Sequence, residues 1–458
     1  MVLGYGRLIS FVKNKNIAIL GIGISNLPLV KMLAKFGANV TVRDKKPYSQ
    51  IKDLINNTGV QNIKLMTGEN YLENLNEDII FKTPGISIYT PELANAKNSG
   101  CTITSEMEMF FELCPADIIG VTGSDGKTTT TTLIFEMLKK MGYNCHLGGN
   151  IGRPLLYEIE NISAGDKVVV ELSSFQLQTM KKSPKIAVIT NVSPNHLDFH
   201  RDMDEYIASK ENIFLHQSDE DTLVLNFDND ITKSFAEKAK GKVVSFGKDE
   251  RCSVMTKDGV IYAHGTPMLN CGDILIPGYH NVENYMAAIG AVSELVSADC
   301  IRDVAKSFSG VEHRIEFVRE IDGVRFYNDS IASTPTRTRA CLNSFDDKVI
   351  IIAGGYDKKI PFESFAKDII SRVKVLILIG ATAGKIKKAV EAQKGEKPPV
   401  IMAESLEDAV IKAKANAQNG DTVVLSPACA SFDMFDNFEQ RGIKYKKAVM
   451  ELVAERMN

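Results

Sequence analysis

The feature that most constrains this chain is a repeated alternation of short apolar runs with amphipathic stretches. NIAILGIG is followed by LPLVKMLAKFG, ANVTVRD and EDIIFKTPG; ADIIGVTG leads into TTTTLIFEMLKKMG, KVVVELSS and KIAVITNVSP. Such a rhythm predicts β-α-β units, whose strands run parallel because the crossover helix returns the chain to the same end of the sheet. It returns after His313 as VRFYNDS, KVIIIAGG, VKVLILIG and DTVVLSPA. Between Cys252 and Pro277 it breaks into SVMT, VIYAHG and DILIP around a turn at Lys257-Asp258-Gly259, which predicts an antiparallel excursion. A helix from Asn281 follows, with Val282, Tyr285, Met286, Ile289, Val292 and Val296 at helical spacing. The expectation is an α/β protein of three domains. Residues 1–107 form a Rossmann-like domain, 108–313 a central phosphate-loop domain with a parallel sheet plus a small antiparallel sheet, and 314–458 a second Rossmann-like domain.

Length agrees: 458 residues suit two to four domains, at about 100 to 200 residues each. A formal net charge of −3 gives no cationic surplus for phosphate backbones, so no nucleic-acid partner is expected. Eight cysteines without a C-x-x-C pair suggest neither a disulfide framework nor a zinc ribbon. The start MVLGYGRLISFVKNKN lacks the apolar core of a secretory signal. No run approaches the roughly 20 apolar residues of a membrane span. A cytoplasmic protein acting as a monomer is expected.

Gly120-Val121-Thr122-Gly123-Ser124-Asp125-Gly126-Lys127-Thr128-Thr129 lies between a predicted strand and a predicted helix. Glycines let backbone N–H groups turn inward, the helix N-terminus adds partial positive charge, Lys127 adds a full one, and Thr128 has a hydroxyl for magnesium. The strict spacing of a Walker loop would place its first glycine at Val121, so an ordinary strand-to-helix turn is the competing reading. Gly21-Ile22-Gly23-Ile24-Ser25-Asn26 also follows a strand, with Asp44 downstream as in a dinucleotide fingerprint, although Asn26 takes the third glycine's place. This loop suits the diphosphate of any nucleotide-linked substrate, or serves as a tight turn without ligand.

Glu171 ends the strand KVVVE and should project at the sheet edge that carries the phosphate loop, where it either shares magnesium with Thr128 or is simply solvated. His196 and His200 are four apart, but Leu197 stands where a zinc protease needs glutamate. One of the two histidines, after a strand end and near the phosphate loop, could still ligate a second magnesium. Lys210, in EYIASKENIF, reads by itself as a solvated surface lysine.

Taken together, GIGIS, KTPGI, TGSDGKTTT, GGNIG, ELSSFQL, NVSPNHLDFH, GYHNVENYMAA, HRIE, NDSIASTP, AGGYDK and SPACASFDMFDNFEQRG resemble the Mur ligase family, in family order along most of the chain. The resemblance implies an ATP-dependent amide ligase. Its last motif and its nucleotide-type first domain point to the branch that adds D-glutamate to UDP-N-acetylmuramoyl-L-alanine in peptidoglycan precursor synthesis. Gly123 to Thr129 would then bind ATP, together with Asn284, Arg314 and Asp329. Two magnesium ions are implied, held by Thr128, Glu171, His196 and Lys210, the lysine resembling the family's carbamylated one. Lys127, Glu171, His196 and Lys210 would carry the catalysis. Ile24, Ser25, Asp44, Thr83, Pro84, Gly85 and Asn150 would bind the UDP-substrate, and Lys358, Ser431, Phe432 and Phe438 the incoming D-glutamate. Ile331 and Ser333 depart from the family, standing where lysine and threonine are common.

Other readings stay open on the residues. The chain could add a different amino acid, as the tripeptide-forming ligase or folylpolyglutamate synthetase does. A nicotinamide-dependent oxidoreductase would use GIGIS and Asp44 but leave the phosphate loop idle, whereas a nucleotide-binding regulator would have no need of an amino-acid pocket.

Overall fold

The structure is a computed structural model describing residues 3–23, 26–61, 63–194 and 199–453. Ile24, Ser25 and His196 lie outside the described residues. The chain forms two compact units, residues 1–270 with 283–304, and residues 271–282 with 305–458. Three sheets make up the α/β architecture, two in the first unit and one in the second.

The first sheet contains β1 (Asn16–Leu20), β2 (Asn39–Asp44), β3 (Lys64–Thr67), β4 (Ile79–Lys82) and β5 (Thr102–Thr104), all parallel, in the order β3-β2-β1-β4-β5. Ile17 to Leu20 are wholly buried, as expected of a central strand covered on both faces. The winding direction reverses between β1 and β4, and at such a point the loops leaving the carboxyl ends splay apart into a crevice. Gly21-Ile22-Gly23 leaves β1 and Thr83-Pro84-Gly85 leaves β4, so these described parts of the expected substrate loops start at one crevice.

The second sheet takes up β6 (Asp117–Thr122), β7 (Cys145–Gly149), β8 (Lys167–Glu171), β9 (Ile186–Ile189), β10 (Thr222–Asn226), β11 (Lys242–Gly247), β12 (Val254–Lys257), β13 (Val260–Ala263) and β14 (Thr266–Asn270). Their order is β14-β13-β12-β11-β10-β9-β6-β8-β7. Pairing is parallel from β7 to β12 and antiparallel from β12 to β14. Asp258 and Gly259, with φ of 48° and 74°, turn the β12–β13 hairpin in the left-handed region, which Asp-Gly adopts at low cost. The third antiparallel strand corrects the expectation: it is Thr266–Asn270, and DILIP forms no strand beyond a 3-10 turn at Cys271–Asp273. Pro267 is tolerated in β14 because an edge strand has no outer partner to receive the missing N–H. Helix Tyr279–Val292 starts two residues before the expected Asn281, and Val296 lies beyond its end, still buried.

The third sheet consists of β15 (Glu316–Ile321), β16 (Val324–Asn328), β17 (Val349–Ala353), β18 (Val373–Leu378), β19 (Val400–Met402) and β20 (Thr422–Leu425), in the order β15-β16-β20-β17-β18-β19. Only β15 is antiparallel to its neighbour. Val349 to Ala353 are all buried, the continuous apolar run that a doubly covered parallel strand requires. Among the described residues, no helix is long and apolar enough to cross a membrane.

Candidate active site

Because β6 lies between β8 and β9, the loops that follow these three strands converge at one sheet edge. The turn after β6 opens helix Lys127–Met141 through Gly126, whose φ is +77°. A Cβ there would stand 2.2 Å from Asn284 Oδ1, and one on Gly123 would stand 1.9 Å from Thr190 Oγ1, so both glycines are sterically required. The loop after β9 holds the turn in place. Ser124 N donates to Asn191 O (2.9 Å), Asp125 N to Asn191 Oδ1 (2.9 Å), and Thr190 Oγ1 to Asp125 O (2.6 Å). Lys127 folds back so that Nζ donates to Gly123 O (3.0 Å) and Ser124 O (2.9 Å). The cation thus sits over a glycine-rich turn at a helix N-terminus, an arrangement suited to binding phosphate.

Glu171, at the end of β8, is 1 % exposed. Asn150 Nδ2 donates to its Oε1 at 2.7 Å, while Oε2 is buried with no hydrogen-bond partner. A buried carboxylate oxygen left without a donor is costly unless something positive meets it, and so the position fits a hard cation. Thr128 is half-buried in the first turn of the helix after β6. Among the described residues, no group of three or more His, Cys, Asp and Glu side chains is gathered as a metal cluster. Any magnesium here would therefore complete its shell from phosphate oxygens and water, as magnesium commonly does.

Lys210 is the residue that sequence reading by itself misplaces. It is 1 % exposed, on helix Met203–Glu211, with Nζ donating to Gly123 O at 2.7 Å and Thr122 Oγ1 at 3.4 Å. Burial, and then the charge of Lys127, pull its ammonium down to about 7. Tyr206, one turn earlier, supports it: Nζ of Lys210 lies 4.7 Å from the Tyr206 ring, and the Tyr206 hydroxyl lies 2.9 Å from Ser124 Oγ. Tyr206, Thr190 and Asn191 were not among the expected site residues. Their signal was positional, since NVSP follows a strand at the same edge and Tyr206 precedes Lys210 by one helical turn. His200 packs at 5.4 Å, nearly parallel, on Phe175, with Nε2 2.9 Å from Ser174 Oγ.

At the first sheet's crevice, Asp44 accepts from Ile22 N (2.7 Å) and Lys46 N (2.8 Å), so its carboxylate braces the loop after β1. Asn26 explains the missing third glycine. Its Nδ2 donates to Leu20 O (3.2 Å) and Gly21 O (3.1 Å), closing the turn from within. Thr83, Pro84 and Gly85 follow β4, where buried Lys82 donates to Thr83 O (3.3 Å) and Ile86 O (2.9 Å).

In the second unit, the ends of β16, β17 and β20 carry the remaining expected residues. Asp329, just past β16, accepts from Ser426 Oγ at 2.7 Å, and burial pushes its carboxyl up to about 7. Arg441, which lies in the last family motif but is not among the expected site residues, is 1 % exposed and donates to Ser330 Oγ, Ser330 O, Cys429 O and Ala430 O. It thereby ties the loop after β16 to SPACASF. Ser431 is buried, Phe432 is exposed and 6.0 Å edge-on from Tyr356, and Lys358 is exposed. Phe438 begins helix Phe438–Glu451, with its carbonyl accepting from Ser330 Oγ at 2.8 Å. Arg314 is exposed, its N–H bonded to Val311 O at 2.9 Å.

Comparison with known proteins assigns this architecture to a class. Family profiles match residues 15–105 (Mur ligase MurD-like, N-terminal domain), 121–292 (Mur ligase middle domain) and 313–429 (Mur ligase, glutamate ligase domain). The chain belongs to the Mur ligase family. It is 55% identical over 455 residues to the UDP-N-acetylmuramoylalanine--D-glutamate ligase of Acetivibrio thermocellus, covering 97% of this chain and 98% of that protein. The protein of the same name from Clostridium acetobutylicum is 51% identical over 457 residues, covering 98% and 99%. The fold is shared with a solved UDP-N-acetylmuramate-alanine ligase of Thermotoga maritima, at TM-score 0.56 and 19% identity over 96% of this chain and 99% of that one.

Proposed function

We propose that this chain is the ligase that joins D-glutamate to UDP-N-acetylmuramoyl-L-alanine with consumption of ATP, a cytoplasmic step of peptidoglycan precursor synthesis. The observation that carries the reading is the convergence at one sheet edge of the Gly123–Thr129 turn, Lys127, buried Glu171 and buried Lys210, in a chain whose relatives of that name match it end to end.

A carboxylate is a poor acyl donor because its leaving group would be oxide. Its oxygen instead attacks the γ-phosphorus of ATP, the bond to the β-phosphate oxygen breaks, ADP leaves, and an acyl phosphate remains. The amine of D-glutamate then attacks the acyl carbon, the amide forms, phosphate departs and the amine loses its proton. Lys127 and the backbone N–H groups of the turn offset the repulsion between phosphates and the attacking carboxylate. Magnesium, when bound, would supply further charge neutralisation, with Thr128 and Glu171 as its holders and His196 and a carbamylated Lys210 serving a second ion. The depressed Lys210 leaves a neutral amine fraction near pH 7 that can attack carbon dioxide, forming the N–C bond of a carbamate and releasing one proton to solvent.

The parts divide the work at about 107 and 314. Ile24, Ser25, Asp44, Thr83 to Gly85 and Asn150 grip the UDP-substrate; Asn284, Arg314 and Asp329 contact ATP; Lys358, Ser431, Phe432 and Phe438 receive D-glutamate. Grip on the remote nucleotide handle helps orient the reacting carboxylate. The test is phosphate release from ATP, magnesium and UDP-N-acetylmuramoyl-L-alanine with D-glutamate, L-glutamate, L-lysine or meso-diaminopimelate added singly. Release with D-glutamate alone is expected; release with another amine moves the chain within its family, and none with any amine overturns the ligase.

A further inference from the structure

Resting on that reading, a cluster outside the phosphate site joins the two sheets of the first unit. Tyr89 belongs to the loop that follows β4, six residues beyond Thr83. That loop is tied internally: Ile86 N donates to Thr83 O (3.2 Å), Tyr89 N to Ser87 Oγ (3.2 Å), and Thr90 Oγ1 to Ser87 O (2.7 Å). The Tyr89 hydroxyl donates to Glu205 Oε1, in the first turn of helix Met203–Glu211. Arg201 closes the arrangement from both sides. Its backbone N–H donates to Glu205 Oε2 (2.7 Å), its Nε to Oε1 (3.2 Å), and its guanidinium stacks 4.7 Å from the Tyr89 ring. Gln178 Nε2 adds a donor to Oε1 at 3.4 Å, and His200 Nδ1 lies 3.8 Å from Oε2.

Glu205 gathers these donors although its side chain is only 10% exposed, whereas Tyr89 is 48% and the Arg201 side chain 68% exposed. The Arg201 and Tyr89 ends of the cluster are open to solvent, where such contacts contribute little to stability. On the same short helix, Glu205 is followed by Tyr206, bonded to Ser124, and by Lys210, bonded to Gly123. The contacts thus run from the loop that follows Thr83–Gly85, through one carboxylate, to the helix that braces the phosphate turn.

We propose that Glu205, held by Tyr89 and Arg201, is a positioning residue that couples occupancy of the nucleotide-sugar loop after β4 to the phosphate turn and Lys210. The coupling is reciprocal: each ligand tightens the other, because both favour the same setting of the helix.

Calorimetric titration of the full chain with UDP-N-acetylmuramoyl-L-alanine and with magnesium and a non-hydrolysable ATP analogue, each alone and in the presence of the other, tests this. In the unaltered chain, one ligand is expected to tighten the other by about fivefold or more. Tyr89→Phe removes one hydroxyl from a half-exposed ring. It and Glu205→Gln should each bring the ratio close to one, leave the analogue's solitary Kd unchanged, and together do no more than either alone. An unchanged ratio in Tyr89→Phe, a ratio of one in the unaltered chain, or a shifted solitary Kd in both variants overturns the proposal. Failure of the unaltered chain to bind the nucleotide sugar overturns the functional reading along with it, whereas binding of both ligands without coupling overturns the latch alone.

Discussion

Asn150 gives its amide to one oxygen of Glu171 at 2.7 Å and leaves the other oxygen buried without a protein donor. The amide fixes the rotation of the carboxylate, so the bare oxygen has a set direction at the end of β8. Glu171→Gln keeps the shape and replaces that charge. It should raise the magnesium needed for half-maximal phosphate release, and Asn150→Ala, which frees the carboxylate to rotate, should do so by about 10- to 100-fold. A magnesium titration at saturating ATP reads both; a curve unmoved in Glu171→Gln removes that residue from the ion.

Lys127 is the cation whose charge is least replaceable, since it lies folded on Gly123 and Ser124. Lys127→Met should lower kcat by about 100- to 1,000-fold, the size seen for loss of a preorganised charge-stabilising group. The melting temperature should fall only modestly, because the half-buried ammonium gives up two hydrogen bonds to backbone carbonyls of the turn. Steady-state phosphate release beside thermal melting distinguishes lost chemistry from a lost fold.

Lys210 gives two readouts. Lys210→Ala should lose activity and regain part of it with added formate or acetate, which place a carboxylate where the carbamate would be; full activity in the variant excludes a carbamate from the mechanism. The second readout is stability. The folded pKa of about 7 lies below the ordinary lysine value of 10.5, so between these limits the unfolded chain binds more protons and stability rises with pH. Lys210→Met cannot titrate. In metal-free, bicarbonate-free buffer, its melting advantage over the unaltered chain should be greatest below pH 7 and shrink steadily toward pH 10.

Asp329 runs the opposite way. Burial lifts its carboxyl from 3.8 to about 7, so across that window the folded chain holds the extra proton and stability falls as pH rises. Asp329→Asn still accepts the Ser426 hydroxyl. It should melt like the unaltered chain near pH 4, gain stability through pH 7 and hold a constant margin above it, while weakening ATP binding if the residue contacts nucleotide.

How legible the chain was depended on whether a residue's place is set by its neighbours in sequence. The β12–β13 hairpin was readable because Asp258-Gly259 encodes its own turn, and the phosphate turn because glycines, lysine and threonine are all local. DILIP had the composition of a strand, yet the partner of β13 is Thr266–Asn270, where being at the sheet edge excuses Pro267. Position in a sheet is not written in a hydropathy pattern. Lys210 was opaque for the same reason, since a helix sequence does not tell which carbonyls will face its lysine. Asn26 looked like a defect in a glycine fingerprint and is instead the residue that closes the turn from inside.

The placement of β20 bears on how the chain is made. Among the described strands, residues 422–425 come last in chain order, yet they pair with β16 on one side and β17 on the other. Until they emerge, those two earlier strands have no ladder between them, and each presents a bare inner edge of the kind that recruits foreign strands. A chain cut short before Thr422 would thus lack the middle of the third sheet rather than its rim. In the first sheet, by contrast, all five strands are in the chain by Thr104, so its central strand β1 does not wait for a distant partner.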